Sequence, residues 1–201
     1  AQGFYTVESL EDIRDLLDAG LVEYAGPNAE LELLDTTLGD PLTNDPLVAQ
    51  QWYLDLIEAA GAWDAGLTGK DVTVAVIDSG IYREHEDLNY ELIGGYSFLG
   101  LPENSASYDD RTGHGTFVTG ILASQGNNEK GLAGLTDQVN ILSLRCFSSD
   151  GSGDYNSGSG MVSTVLSAIG YAMEQNVDVI NMSFGGTNEA VLLPLEEKLE
   201  E

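Results

Sequence analysis

Two residues in this chain have the type and setting for acid–base chemistry, Asp78 and His114. Asp78 ends the most apolar run of the sequence, Val72-Thr73-Val74-Ala75-Val76-Ile77, and is followed by Ser79-Gly80. A carboxylate in that position is costly unless several hydrogen bonds compensate its burial. It either caps the next turn, a common use of Asp-x-Gly, or serves as a charged group at a site. His114 lies in Gly113-His114-Gly115-Thr116. The flanking glycines let the backbone turn sharply and leave the imidazole uncovered as a helix begins beneath it. Such exposure suits a general base working near neutral pH, although a helix-capping histidine would look the same. The other histidine, His85, sits in the polar run Arg83-Glu84-His85-Glu86-Asp87 and reads as a surface residue. Cys146, the single cysteine, follows Arg145. At a strand end it is more often a small buried apolar residue than a nucleophile.

The elements that must hold these residues alternate. Strands are expected at 72–77, 139–144 and 177–182, and helices at 116–124 and 161–175. The first strand is almost continuously apolar and β-branched, as in a parallel sheet covered on both faces. Strand, helix, strand, helix, strand implies an α/β fold with a doubly wound, mainly parallel sheet. Functional groups then gather at the carboxyl ends of its strands. Ahead of it, residues 1–34 read as a partial α+β unit. It has a strand at 4–7, a helix capped by Ser9 with Leu10, Ile13, Leu16 and Leu17 at helical spacing, and a strand at 21–25. Residues 35–46, rich in Asp, Thr, Pro and Gly, read as a linker, and the main domain runs from 47 to 201, ending in a helix from Glu189.

Charge narrows the partners. Thirty-four acidic residues against seven basic ones give a formal net charge of −27. Nucleic acid phosphates and anionic membranes would repel such a surface. Hard cations would not be repelled, and solubility in a salty or extracellular medium is the simpler consequence. One cysteine permits no intrachain disulfide. No apolar run approaches the length of about 20 residues that spans a bilayer.

Three segments together resemble one family. Val74-Ala75-Val76-Ile77-Asp78-Ser79-Gly80-Ile81, with His85-Glu86-Asp87-Leu88 after it, resembles the aspartate motif of the subtilisin-like (subtilase) serine proteases. Gly113-His114-Gly115-Thr116-Phe117-Val118-Thr119-Gly120-Ile121 resembles their histidine motif. Val179-Ile180-Asn181-Met182-Ser183-Phe184-Gly185-Gly186 resembles the strand that lines their substrate cleft. The ordered set covers about residues 47–188.

The resemblance implies peptide-bond hydrolysis by an Asp/His/Ser triad. Asp78 would orient His114, and His114 would act as base and then acid for a serine nucleophile. The family's Ala-Gly-Asn and Gly-Thr-Ser-Met-Ala motifs, which bring the oxyanion asparagine and the serine, do not occur within these 201 residues. The expectation is therefore an incomplete front part of the peptidase domain, inactive by itself. The resemblance further implies that Ser183, Phe184 and Gly185 pair with substrate, with the stretch from Gly151 to Gly160 on the opposite side. It implies a structural calcium held by Asp87, Asn128 in the loop 126–132, and Gln51 or Gln50. Leu21-Val22-Glu23-Tyr24-Ala25-Gly26-Pro27-Asn28 resembles the end of the family's inhibitory propeptide. The expected partners are thus a protein substrate and the chain's own propeptide, cut off between Leu34 and Gln51, with secretion or display at the cell surface. Two alternatives compete. A non-catalytic subtilisin-like binding module would keep the fold alone. A signalling receiver domain would need an acidic pair after its first strand and a late lysine, neither of which is evident.

Overall fold

A computed structural model describes residues 43–100, 108–149 and 158–185. The chain divides into two compact units, residues 1–37 and 38–201, and every described residue lies in the second. The expected elements at 4–25, the first part of the linker and the helix from Glu189 fall outside the described residues.

Four parallel strands form the main sheet: β1 (Thr73–Asp78), β2 (Ile93–Ser97), β3 (Asn140–Arg145) and β6 (Val179–Asn181), in the spatial order β2-β3-β1-β6. A two-stranded antiparallel ribbon pairs β4 (Ser148–Ser149) with β5 (Gly158–Ser159). Helices α1 (Trp52–Leu56) and α2 (Ala59–Asp64) precede β1, α3 (His114–Ala123) lies between β2 and β3, and α4 (Val162–Glu174) lies between β5 and β6. The sheet has the parallel, helix-covered form that the apolar runs predicted.

Period-two alternation in β1 sends its side chains to two separate cores. Ala75 and Ile77 pack with Leu144 and Cys146 against Val165, Ala168, Ile169 and Ala172 of α4. Val74 and Val76 face the other way, with Val139 and Ile141, toward Val118 and Leu122 of α3. Each fully buried Ile or Leu in these layers contributes roughly 1.5–3 kcal/mol of transfer free energy. One helix on each face and polar residues beyond the strand ends follow from this pattern.

Details depart from the sequence expectation for local reasons. Helix α3 begins at His114, two residues before the expected Thr116, because side chains outside the helix satisfy its first N–H groups. Strand β6 is confined to Val179–Asn181. Asp178, just before it, instead brackets the start of β1: its N–H donates to the Thr73 carbonyl at 2.9 Å and its Oδ2 accepts the Thr73 N–H at 2.8 Å. Strand β2, Ile-Gly-Gly-Tyr-Ser, carries too few β-branched residues to stand out in the sequence. Among the described residues, no helix is long and apolar enough to cross a membrane.

Candidate active site

Asp78 is the last residue of β1, a strand bonded on both sides, and its register partner in β3 is Arg145. Its side chain is 5% exposed. Oδ1 accepts the N–H of Ser79 at 2.6 Å, and the main-chain carbonyl accepts Cys146 N–H at 2.8 Å and Phe147 N–H at 3.3 Å. His114 is the first residue of α3. Its Nδ1 stands 2.9 Å from Oδ1 and 3.0 Å from Oδ2 of Asp78, and its side chain keeps 26% of its surface open. With the proton on Nδ1 the ring donates to the carboxylate, leaving Nε2 as the basic nitrogen. Two residues 36 apart in sequence thus form one hydrogen-bonded pair at the carboxyl end of the central strand.

Local backbone chemistry makes that meeting possible. Gly113, the residue before α3, has φ 103°, a left-handed value that a side chain rarely tolerates. At Gly115 a β-carbon would collide with the Gly80 carbonyl oxygen and lie 3.1 Å from both Cβ and Oδ1 of Asp78. The helix can approach the strand end only because that carbon is missing.

Asp110, not singled out in the sequence, gathers the surrounding donors. Its Oδ1 accepts Thr112 N–H at 2.9 Å, Gly113 N–H at 2.8 Å and the Ser79 hydroxyl at 2.9 Å. Its Oδ2 accepts Thr116 N–H at 3.0 Å and the Thr116 hydroxyl at 2.6 Å. Burial alone would raise this carboxyl, but the bonds from Gly113, Thr116 and Thr112 outweigh it and hold Asp110 below the usual carboxylate range. The available signal was an Asp whose side chain can bond the N–H groups two and three residues on, ahead of a glycine. Nearby, Arg83 pairs with Asp109 at 3.1 Å and lies over the Tyr108 ring, 5.4 Å from its centroid. Cys146 is fully buried behind Asp78, and its thiol is pushed up to about 12, first by burial and then by the Asp78 charge. A thiol so protonated is no nucleophile. His85 is exposed, and its Nδ1 accepts Asp87 N–H at 3.3 Å.

The expected cleft residues Ser183, Phe184 and Gly185 follow β6 directly. The Ser183 hydroxyl accepts an N–H of the Asn181 side chain at 2.9 Å. The Phe184 ring packs on Phe147, centroids 4.8 Å apart, which links the segment after β6 to the segment after β3. Of the 151–160 stretch, only Gly158 to Gly160 is described.

A second polar cluster surrounds the loop 126–132. Asp87, 3% exposed, accepts an Asn128 side-chain N–H on Oδ1 at 2.8 Å and Leu132 N–H on Oδ2 at 3.0 Å. Asn128 Oδ1 accepts Lys130 N–H at 2.8 Å. Gln51 holds the base of the loop with both ends of its amide: Oε1 accepts Ala133 N–H at 2.8 Å and Nε2 donates to the Ala133 carbonyl at 2.7 Å. Asp45 joins them without having been expected. It is 2% exposed and accepts the N–H groups of Asn127 at 2.8 Å and Asn128 at 3.0 Å. Its place in a Pro- and Thr-rich stretch hid it. Among the described residues no three Asp, Glu, His or Cys side chains converge as a metal group.

Comparison with known proteins agrees with this geometry. The model of the subtilase family matches residues 69–196. The minor extracellular protease Epr of Bacillus subtilis is 38% identical over 144 residues, which is 72% of this chain and 20% of that protein. Subtilisin E of the same species is 34% identical over 180 residues, 83% of this chain and 44% of the relative. A solved protease structure from Pseudoalteromonas arctica PAMC 21717 superposes with a TM-score of 0.59 at 25% identity, covering 79% of this chain and 56% of that one. The chain spans less than half the length of the two curated relatives. No receiver domain is needed to account for the sheet or for the acidic strand end. With the family model matched across both motifs and the aspartate and histidine in contact, the chain belongs to the subtilase family.

Proposed function

We propose that the protein carrying this chain is a serine endopeptidase in which Asp78 and His114 form the acid–base half of an Asp/His/Ser triad. The observation that carries this reading is His114 Nδ1 lying 2.9 Å from the buried carboxylate of Asp78. Asp78 fixes the ring orientation and stabilises the imidazolium, and His114 Nε2 takes the proton of a serine hydroxyl and returns it to the leaving amine. Ser183, Phe184 and Gly185 form one wall for the substrate backbone, a small residue at Gly185 leaving room for close approach. The substrate is a protein or peptide, and the site of action is outside the cell, as the name of the relative Epr states for that protein. Residues 1–34 act as the end of an inhibitory propeptide. In support, residues 21–28 resemble the end of the family's propeptide.

Peptide hydrolysis by the parent protein tests this. His114→Ala and Asp78→Asn should each lower kcat/KM, Asp78→Asn by on the order of 10⁴. The 201 residues assayed by themselves should give no turnover. Activity that survives His114→Ala overturns the assignment, and peptide binding without hydrolysis by the parent protein would favour the non-catalytic module.

A structural calcium at the loop 126–132 belongs to the same proposal. The residues fit a hard cation. Asp45 and Asp87 are buried carboxylates bonded to one loop, each of their oxygens takes a single N–H donor among the described residues, and a carboxylate oxygen has about two acceptor sites. Asn128 Oδ1 likewise has one site left, while Gln51 stands at the loop base and offers one more amide oxygen. When bound, calcium would supply a charge cross-link between this loop and the chain on either side. A chelator should then lower the melting temperature, by the equivalent of about 2.7 kcal/mol if calcium had stood at 100 times its Kd. Asp87→Asn should abolish that response; an unchanged melting temperature in chelator rejects the site.

A further inference from the structure

Asp110 does more than cap a helix. A cap satisfies N–H groups of its own helix, and Asp110 does so for the start of α3, through Gly113 and Thr116. It also accepts the hydroxyl of Ser79, which belongs to the strand exit next to Asp78. Two of its donors then bond back across the junction. Ser79 Oγ accepts Gly115 N–H at 2.9 Å, and Thr116 Oγ1 accepts Tyr82 N–H at 3.0 Å. The backbone from Ser79 to Tyr82 and that from Gly113 to Thr116 are therefore joined through one carboxylate and two hydroxyls. The first segment directly follows Asp78, and the second contains His114.

We propose that Asp110 is a positioning residue for the Asp78–His114 pair, setting the approach of α3 to the end of β1 and so keeping the His114 proton on Nδ1. The bonds are charge-assisted, and the lowered carboxyl of Asp110 keeps them so at every pH where the imidazole works. Asp110 bonds Ser79, Thr112, Gly113 and Thr116 and not the His114 ring, so it acts through Ser79 and Thr116. The inference rests on Asp78 and His114 being the working pair, but its readout is the tautomer of His114 and not hydrolysis. The two readings therefore fail separately.

Long-range ¹H–¹⁵N spectra of the full chain show which ring nitrogen of a neutral histidine carries the proton, and the exposed His85 serves as internal reference. In the unaltered chain His114 should be held as the Nδ1–H form. Asp110→Asn replaces an acceptor-only group with one that places an NH₂ against these donors. The ratio of Nε2–H to Nδ1–H form at His114 should rise at least threefold, with His85 unchanged. Asp109→Asn, one residue away and bonded to Arg83, should leave the ratio alone. A folded Asp110→Asn variant with an unaltered His114 ratio overturns the proposal and leaves Asp110 a plain helix cap. Should that variant not fold, Thr116→Val deletes only the hydroxyl bridge. The same rise is then expected, and an unmoved ratio is equally fatal.

Discussion

Gly115→Ala is the most direct probe of the strand–helix junction. Alanine is the better helix former by about 1 kcal/mol, so a helix judged alone should gain from the change. The junction reverses that sign. The new methyl would collide with the Gly80 carbonyl oxygen, a backbone atom that no rotamer change can remove, and would lie 3.1 Å from Oδ1 of Asp78. Restoring a C···O separation of about 3.3 Å requires the start of α3 to retreat by roughly 1 Å. Overpacking of this kind costs about 1–3 kcal/mol, which leaves a net loss of up to about 2 kcal/mol after the helix gain. For a chain of this size the melting temperature should not rise, and should fall by up to about 8 °C. The same retreat stretches the 2.9 Å His114–Asp78 contact past hydrogen-bonding range, and a 1 Å misplacement can cost on the order of 10²-fold in turnover. Thermal unfolding of the chain and peptide hydrolysis by the parent protein measure the two effects. A melting temperature that rises, with hydrolysis within about twofold of the original, would refute the close-approach reasoning.

Two further outcomes are expected. Cys146 has its folded-state value raised to about 12, so its contribution to stability is complete below the unfolded value near 8.5 and is lost as pH climbs toward 12. Cys146→Ala should flatten that alkaline decline, whose slope is at most about 1.4 kcal/mol per pH unit, and in the native chain the thiol should resist alkylation at pH 8 until unfolding. The charge of −27 destabilises the compact state by self-repulsion, which salt screens: the Debye length is about 10 Å at 0.1 M and about 3 Å at 1 M. The melting temperature should thus climb by roughly 5 °C or more between 0.1 and 2 M KCl, and a flat or falling curve would show that the charges are already compensated.

Much of the candidate site was legible because its chemistry is local. An apolar β-branched run ending in Asp78 and a glycine pair around His114 announce a strand end and a helix entry without any partner being known. The same holds for Cys146, whose apolar surroundings are written in its neighbours. What stayed hidden was set by tertiary contacts. Asp110 is one of several acidic residues in a charged stretch, and only the fold brings Ser79 to it across 31 positions. Asp45 sits in a stretch with the composition of a linker, yet it is buried against backbone N–H groups 82 and 83 residues away. Strand β2 escaped notice because its pairing with β3, not its own propensity, makes it a strand.

The two partners of the proposed acid–base pair are mounted with unequal compliance. Asp78 ends a strand laddered to neighbours on both sides, so displacing it means breaking sheet bonds to β3, with β6 gripping the same strand further back. His114 occupies the opening position of a ten-residue helix, whose first turn is held by side-chain bonds to Asp110 and Ser79 and not by a backbone ladder. A reaction cycle that needs the imidazole to swing between a hydroxyl and a leaving amine can draw its motion from the softer mount, while the anion that orients the ring stays still. In amide exchange this asymmetry should appear as slow opening along β1 and faster opening across the first turn of α3.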